Sequence, residues 1–158
     1  MKAASEEIHK AAEWMKSEAA KAKGKGKEAL TASYRELQKL GEDLKKGAVK
    51  SEKEIEMASA RAYQALATNS QVRSAEAWSK KEFKKAGEEL DMAVSQLEKG
   101  YAWAGQKVES GTQKVIDQSK EWSRKAKEDA GKASAEARKI LKDAEDEIKA
   151  LGQKISGK

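Results

Sequence analysis

Few residues in this chain have side chains suited to chemistry. The sole histidine, His9, lies in Glu6-x-x-His9-x-x-x-Glu13, a spacing that puts three polar groups on one helical face. Glu-x-x-His is the unit of di-iron carboxylate bundles, because residues three or four apart aim both side chains at one ion. Such sites draw the unit from two helices, and no second histidine exists to supply it. A nucleophilic triad meets the same shortage, with one histidine, no cysteine and no Gly-x-Ser-x-Gly turn. No glycine motif that cradles phosphate is present either. The expectation is a non-enzyme without metal, cofactor or small-molecule substrate, with His9 on a solvated face.

The four tryptophans carry more information. Trp122 falls on an apolar stripe and is expected in the core. Trp14 and Trp103 each stand one position before a stripe residue, and Trp78 lies further off the register that carries Phe83. Lysines follow closely: Lys16 after Trp14, Lys80 and Lys81 after Trp78, and Lys125, beside Arg124, after Trp122. Rings beside lysines suit a lipid headgroup region, an acidic partner or stacked bases. They equally suit lysine stems draped over ring edges at the margin of a core. The candidate partner-contacting residues are therefore Trp14, Trp78, Trp103, Lys80 and Lys81, with Trp78 the one where a functional surface or dimer contact is most expected. Lys23-Gly24-Lys25-Gly26-Lys27 reads as a solvated connection, with anion binding as the alternative.

The elements that position these side chains follow from composition. Alanine, lysine, glutamate, leucine and arginine make up 91 of 158 residues, and proline is absent. All five are good helix formers, so the fold class is all-α with coiled-coil-like seams. Leucine, isoleucine, valine and phenylalanine number only 21, enough for a narrow seam. The net charge of +6 is spread over both halves, which argues against a dedicated nucleic-acid arm and specific nucleic-acid binding.

Periodicity places four helices in one domain, residues 1–158. Ser5 before Glu6 and Glu7 reads as an N-cap of a short helix near 5–22. Leu30, Tyr34, Leu37, Gly41, Leu44, Ala48, Ser51, Ile55, Ala58, Ala62 and Ala65 hold one 4,3 register, predicting a single helix over 28–67. Thr68-Asn69-Ser70 would then make a turn. A third register runs from Phe83 through Leu90, Leu97 and Val108, with a turn placed at Ser110–Thr112 and a continuous helix to Trp122 as the rival. A fourth stripe runs from Trp122 to Ile155, with Lys149, Lys154 and Lys158 suited to its C-terminal dipole. One short and three long helices predict an elongated antiparallel bundle. Glu–Lys pairs four apart, Glu128/Lys132 among them, add about 0.2–0.5 kcal/mol each and mark no site.

Ala126-Lys127-Glu128-Asp129-Ala130-Gly131-Lys132, echoed by Lys85-Ala86-Gly87-Glu88, resembles the eleven-residue repeat of group 3 late embryogenesis abundant proteins. The resemblance implies a stress protein that shields membranes or proteins as amphipathic helices. Composition and length are also similar to exchangeable apolipoprotein-type bundles, which open to coat lipid. The expected partners are a second copy or another helical protein through the alanine-rich seam, with an anionic membrane surface as the alternative. Without an apolar run of about 18 residues the chain is expected to be soluble, in the cytoplasm or, if an export signal has been removed, the periplasm.

Overall fold

A computed structural model describes residues 2–49, 51–128 and 130–156, without the side chains of Ala130 and Lys132. The Glu128/Lys132 pair, Lys158 and Asp129 thus lie outside the described residues. Among the described residues the fold has six helices of nineteen residues or more and one helical turn: α1 (Lys2–Lys21), α2 (Gly24–Lys45), α3 (Glu52–Ser79), α4 (Phe83–Trp103), α5 (Ser110–Glu128), α6 (Ala130–Ala133) and α7 (Ala137–Ile155). No strand occurs among the described residues. None of these helices is long and apolar enough to cross a membrane.

The all-α class is as expected, but the helix boundaries need correction. The 28–67 helix divides at Lys46–Ser51, where Gly47 takes φ +68° and turns the chain. Only residues without a Cβ adopt that conformation at little cost. Thr68-Asn69-Ser70 is no turn but the middle of α3. Thr68 Oγ1 donates to Gln64 O at 2.9 Å, and Ser70 Oγ donates to Gln96 Oε1 on α4 at 2.9 Å, so these two hydroxyls find partners without leaving the helix. The break expected at Ser110–Thr112 falls earlier, at Ala104–Glu109, with Gly105 at φ +64°. Ser5 caps nothing: α1 begins before it, and its buried hydroxyl donates to Gly41 O on α2 at 2.8 Å. The Lys23–Lys27 stretch is mostly the first turn of α2, with Gly26 buried against Asn69.

α3 organises the packing. Ala58 and Ala65 face one core, which holds Met15 of α1 and Leu30, Leu37, Leu40 and Leu44 of α2. Ala60 and Ala67 face a second core built by α4, α5 and α7, including Leu90, Leu97, Tyr101, Ile116, Trp122, Ile148 and Leu151. Residues 58 and 60 differ by about 200° around a helix at about 100° per residue, so the two alanine stripes lie on opposite sides. Small side chains on both sides let helices close in from both. Each fully buried leucine or isoleucine then contributes about 1.5–3 kcal/mol.

Contact partners fall in reverse order between successive helices. Ser5 meets Gly41 and Lys16 lies over Tyr34; Gly26 meets Asn69 and Glu36 meets Arg61; Ser70 meets Gln96 and Ser74 meets Ala86. Arg61 Nε donates to both oxygens of Glu36, at 2.7 and 2.9 Å, joining α2 to α3.

Candidate functional site

Trp14 and Trp103 are 51% and 44% exposed, unusual for the largest apolar side chain. Met92 is the other large exposed apolar residue among those described, and it lies elsewhere on α4. Both tryptophans line one groove of about 630 Å³ between α1, α3 and α4. Ala4, Ile8, Ala11 and Met15 form its α1 wall beside Trp14. Its floor is Ile55, Ala62 and Leu66 of α3, with Leu37 of α2 beneath. Gln96, Lys99 and Trp103 form the α4 wall.

Helical geometry explains the placement. Ala4, Ile8, Ala11 and Met15 recur every three or four residues and therefore share a face of α1. Met15 and Ile8 on that face pack into the first core while Ala4 and Ala11 stay exposed, so Trp14, one position off it, stands at the edge. Trp103 is the last residue of α4, two positions beyond buried Tyr101.

The walls differ in charge. Glu7 lines the groove but is paired with Lys10 Nζ at 2.8 Å. The Lys99 ammonium lies 5.8 Å from the centre of the Tyr63 ring, a cation–π contact. Among the described residues no carboxylate comes within ion-pair distance of it.

Trp78 takes a different place. It packs into the second core, with its ring 4.7 Å from Phe83 and 5.2 Å from Trp122. Trp78, where a functional surface or dimer contact was most expected, is partly buried, because Phe83 starts the next helix and folds back onto it. Lys80 and Lys81 lie in the α3–α4 turn, away from the groove. Lys80 Nζ pairs with Glu76 Oε1 at 2.8 Å, a hydrogen bond that raises the lysine pKa and lowers that of the carboxyl. Lys81 takes a left-handed φ of +62°. The structure thus joins Trp14 with Trp103 and separates both from Trp78, Lys80 and Lys81.

Lysine–aromatic contacts go to tyrosines: Lys16 lies over Tyr34, Lys99 over Tyr63 and Lys154 over Tyr101. Ile55, Leu66, Tyr63 and Lys99 join the site without having been singled out in sequence. Ile55 shares the stripe of Ala58 and Ala62, so its period was visible; nothing in the local sequence of Lys99 distinguishes it from other surface lysines.

His9 belongs to a latch between α1 and α2. Its Nδ1 faces Ser5 O at 2.8 Å and its Nε2 faces Glu42 Oε1 at 3.1 Å. Ser5, His9 and Glu42 have the residue types of a catalytic triad, but the hydrogen bonds run otherwise. The serine proton goes to Gly41 O, and an Nδ1 that donates to a carbonyl cannot accept that proton. The ring packs flat against Gly41, whose missing side chain makes room for it. The latch fixes the first half of α1, and with it one groove wall. No group of three or more metal-binding side chains occurs among the described residues.

No protein-family model, curated protein or solved structure matches the chain.

Proposed function

We propose that this protein is a non-enzymatic helical interaction module, an elongated antiparallel bundle whose working surface is the groove between α1, α3 and α4. One observation carries this: Trp14 and Trp103, far apart in sequence, stand half exposed on facing walls of one apolar cleft. Tryptophans with their faces in an apolar groove and their edges in water are the usual anchors of protein interfaces. The alanine-rich seam expected to mediate self-association is used within the chain, since Leu37, Leu44, Ala58 and Ala65 are buried. That leaves the groove as the surface through which association is proposed to work.

Sedimentation velocity over a range of concentrations, with tryptophan emission followed in parallel, tests the proposal. Association with wild type that is lost in a Trp14→Ala/Trp103→Ala variant of unchanged helicity supports it. A monomer at every concentration, with emission unmoved by helical peptides and vesicles alike, removes it.

A second function, reversible attachment to anionic membranes, draws support from Lys99 beside the exposed rings and from the net charge of +6. Anionic vesicles at low and near-physiological salt separate the two cases. A blue shift that survives salt marks apolar insertion, whereas surface charge contacts are screened within about 8 Å at 0.15 M.

A further inference from the structure

We infer that the natural occupant of the groove is an acidic amphipathic helix of another protein; this rests on the groove being the working surface. The first support is shape. Among the described residues, α1 and α4 are not extensively packed backbone to backbone. The groove extends along α1 from Ala4 to Met15, about 17 Å at 1.5 Å per residue, or three helical turns. Ile55, Ala62 and Leu66, spaced seven and four apart, form the kind of stripe a helix presents to another helix. An incoming helix about 10 Å across would cover both tryptophan rings, while a single acyl chain in so open a cleft would leave them wet.

The second support is charge. The α1 wall is apolar except for Glu7, already paired with Lys10, and the α4 wall carries Lys99, a cation with no carboxylate partner among the described residues. A helix with leucines facing α1 and α3 and a glutamate facing α4 satisfies both walls. A second copy of this chain is a poorer fit, because two bodies of charge +6 repel on approach.

The test uses two synthetic tryptophan-free helical peptides of about 18 residues, long enough to hold helix in water. Both carry the same leucine stripe and differ only in its flanks, glutamate in one and lysine in the other. Binding is read by calorimetry and by the emission of Trp14 and Trp103 at low salt, with the full-length chain. The glutamate peptide should bind about fivefold more tightly, the difference between one surface ion pair made and one opposed. Lys99→Gln should abolish that preference and Lys99→Glu should reverse it, with far-ultraviolet circular dichroism confirming that these exposed-site variants stay folded. Equal binding of both peptides, lost in Trp14→Ala/Trp103→Ala, would leave the groove as an interaction surface but overturn the acidic helix. Emission shifts with phosphatidylglycerol vesicles and with neither peptide would assign the groove to membranes, and a response to no probe would overturn both proposals.

Discussion

Replacing Trp122 by phenylalanine isolates the link that holds the last third of the fold together. The Trp122 ring is fully buried, and its Nε1 donates to Ala133 O in α6 at 2.9 Å. It is therefore a clamp between α5 and the short segment that carries the chain into α7. Phenylalanine keeps the six-membered ring but cannot donate, so the Ala133 carbonyl loses this bond. Leaving a buried acceptor unpaired costs about 1–3 kcal/mol. The smaller ring also leaves a void of about 40 Å³, worth about 1 kcal/mol at about 24 cal/mol per Å³ if the site does not collapse. The total is about 2–4 kcal/mol, a large fraction of the 5–15 kcal/mol typical of folded domains. Trp14→Phe is the matched control, because half of that ring is already in water and its change should stay near 0.5 kcal/mol. Urea unfolding followed by circular dichroism at 222 nm reads helix rather than indole, so both variants can be compared with wild type on one scale. Equal midpoints for Trp122→Phe and Trp14→Phe would refute the clamp.

A Cβ on Gly87 would sit 2.7 Å from the backbone oxygen of Ser123, so Gly87→Ala must push α4 away from α5. The expected loss is about 1–3 kcal/mol despite alanine's better helix propensity, whereas Gly111→Ala, in open space, should gain some tenths; thermal melts of the pair check the contrast. Gly47→Ala should lose about 1–2 kcal/mol because its φ of +68° is unfavourable for any residue with a Cβ, and a neutral result in urea would show that the α2–α3 turn relaxes easily. Glu89 is buried on α4 and pairs with Arg73 at 3.0 Å; burial, the stronger influence, raises its carboxyl pKa, and Arg73 pulls it down in part. Because the folded value lies above the unfolded one, the native state binds more protons between them, and this group's contribution makes stability fall as pH rises through that window. Glu89→Gln should flatten that segment of the stability–pH curve, measured by urea unfolding in steps upward from the ordinary carboxylate range, and an unchanged slope would remove the assignment.

Fold class was legible because composition alone decides it: a chain of alanine, lysine and glutamate without proline has few options besides helix. Boundaries were less legible where local and tertiary preferences disagree. Ala48 and Ser51 continue the heptad period through a stretch where the chain leaves the helix, so Gly47 among good helix formers carried the only hint. Thr68-Asn69-Ser70 erred in the opposite direction, the Thr68 and Ser70 hydroxyls being bonded to Gln64 and Gln96 and Asn69 packed against Gly26. The exposed tryptophans were partly legible, since Trp14 and Trp103 stood one step off their stripes. Their meeting in one groove was not, because it depends on α1 and α4 flanking α3, and no local pattern encodes which helices become neighbours.

The groove follows from how α3 divides its surface. Ala58 and Ala65 point to one core, Ala60 and Ala67 to the other, and these directions lie about 200° apart on one side at 100° per residue. Ile55, Ala62 and Leu66 fall within that wider gap, on the flank of α3 next to the first core, against which they are partly buried and which leaves the rest of them open to the groove. The opposite gap is closed within the chain, where Gln64 lies against Gly152 of α7. A surface left to water gains nothing from isoleucine and leucine, and an alanine-lysine-glutamate chain has polar helix formers in abundance to place there. Apolar residues on that flank, walled by two half-exposed tryptophans, are a cost to the isolated chain that contact with another body would offset. A partner's helix seated between α1 and α4, as proposed, would supply that contact.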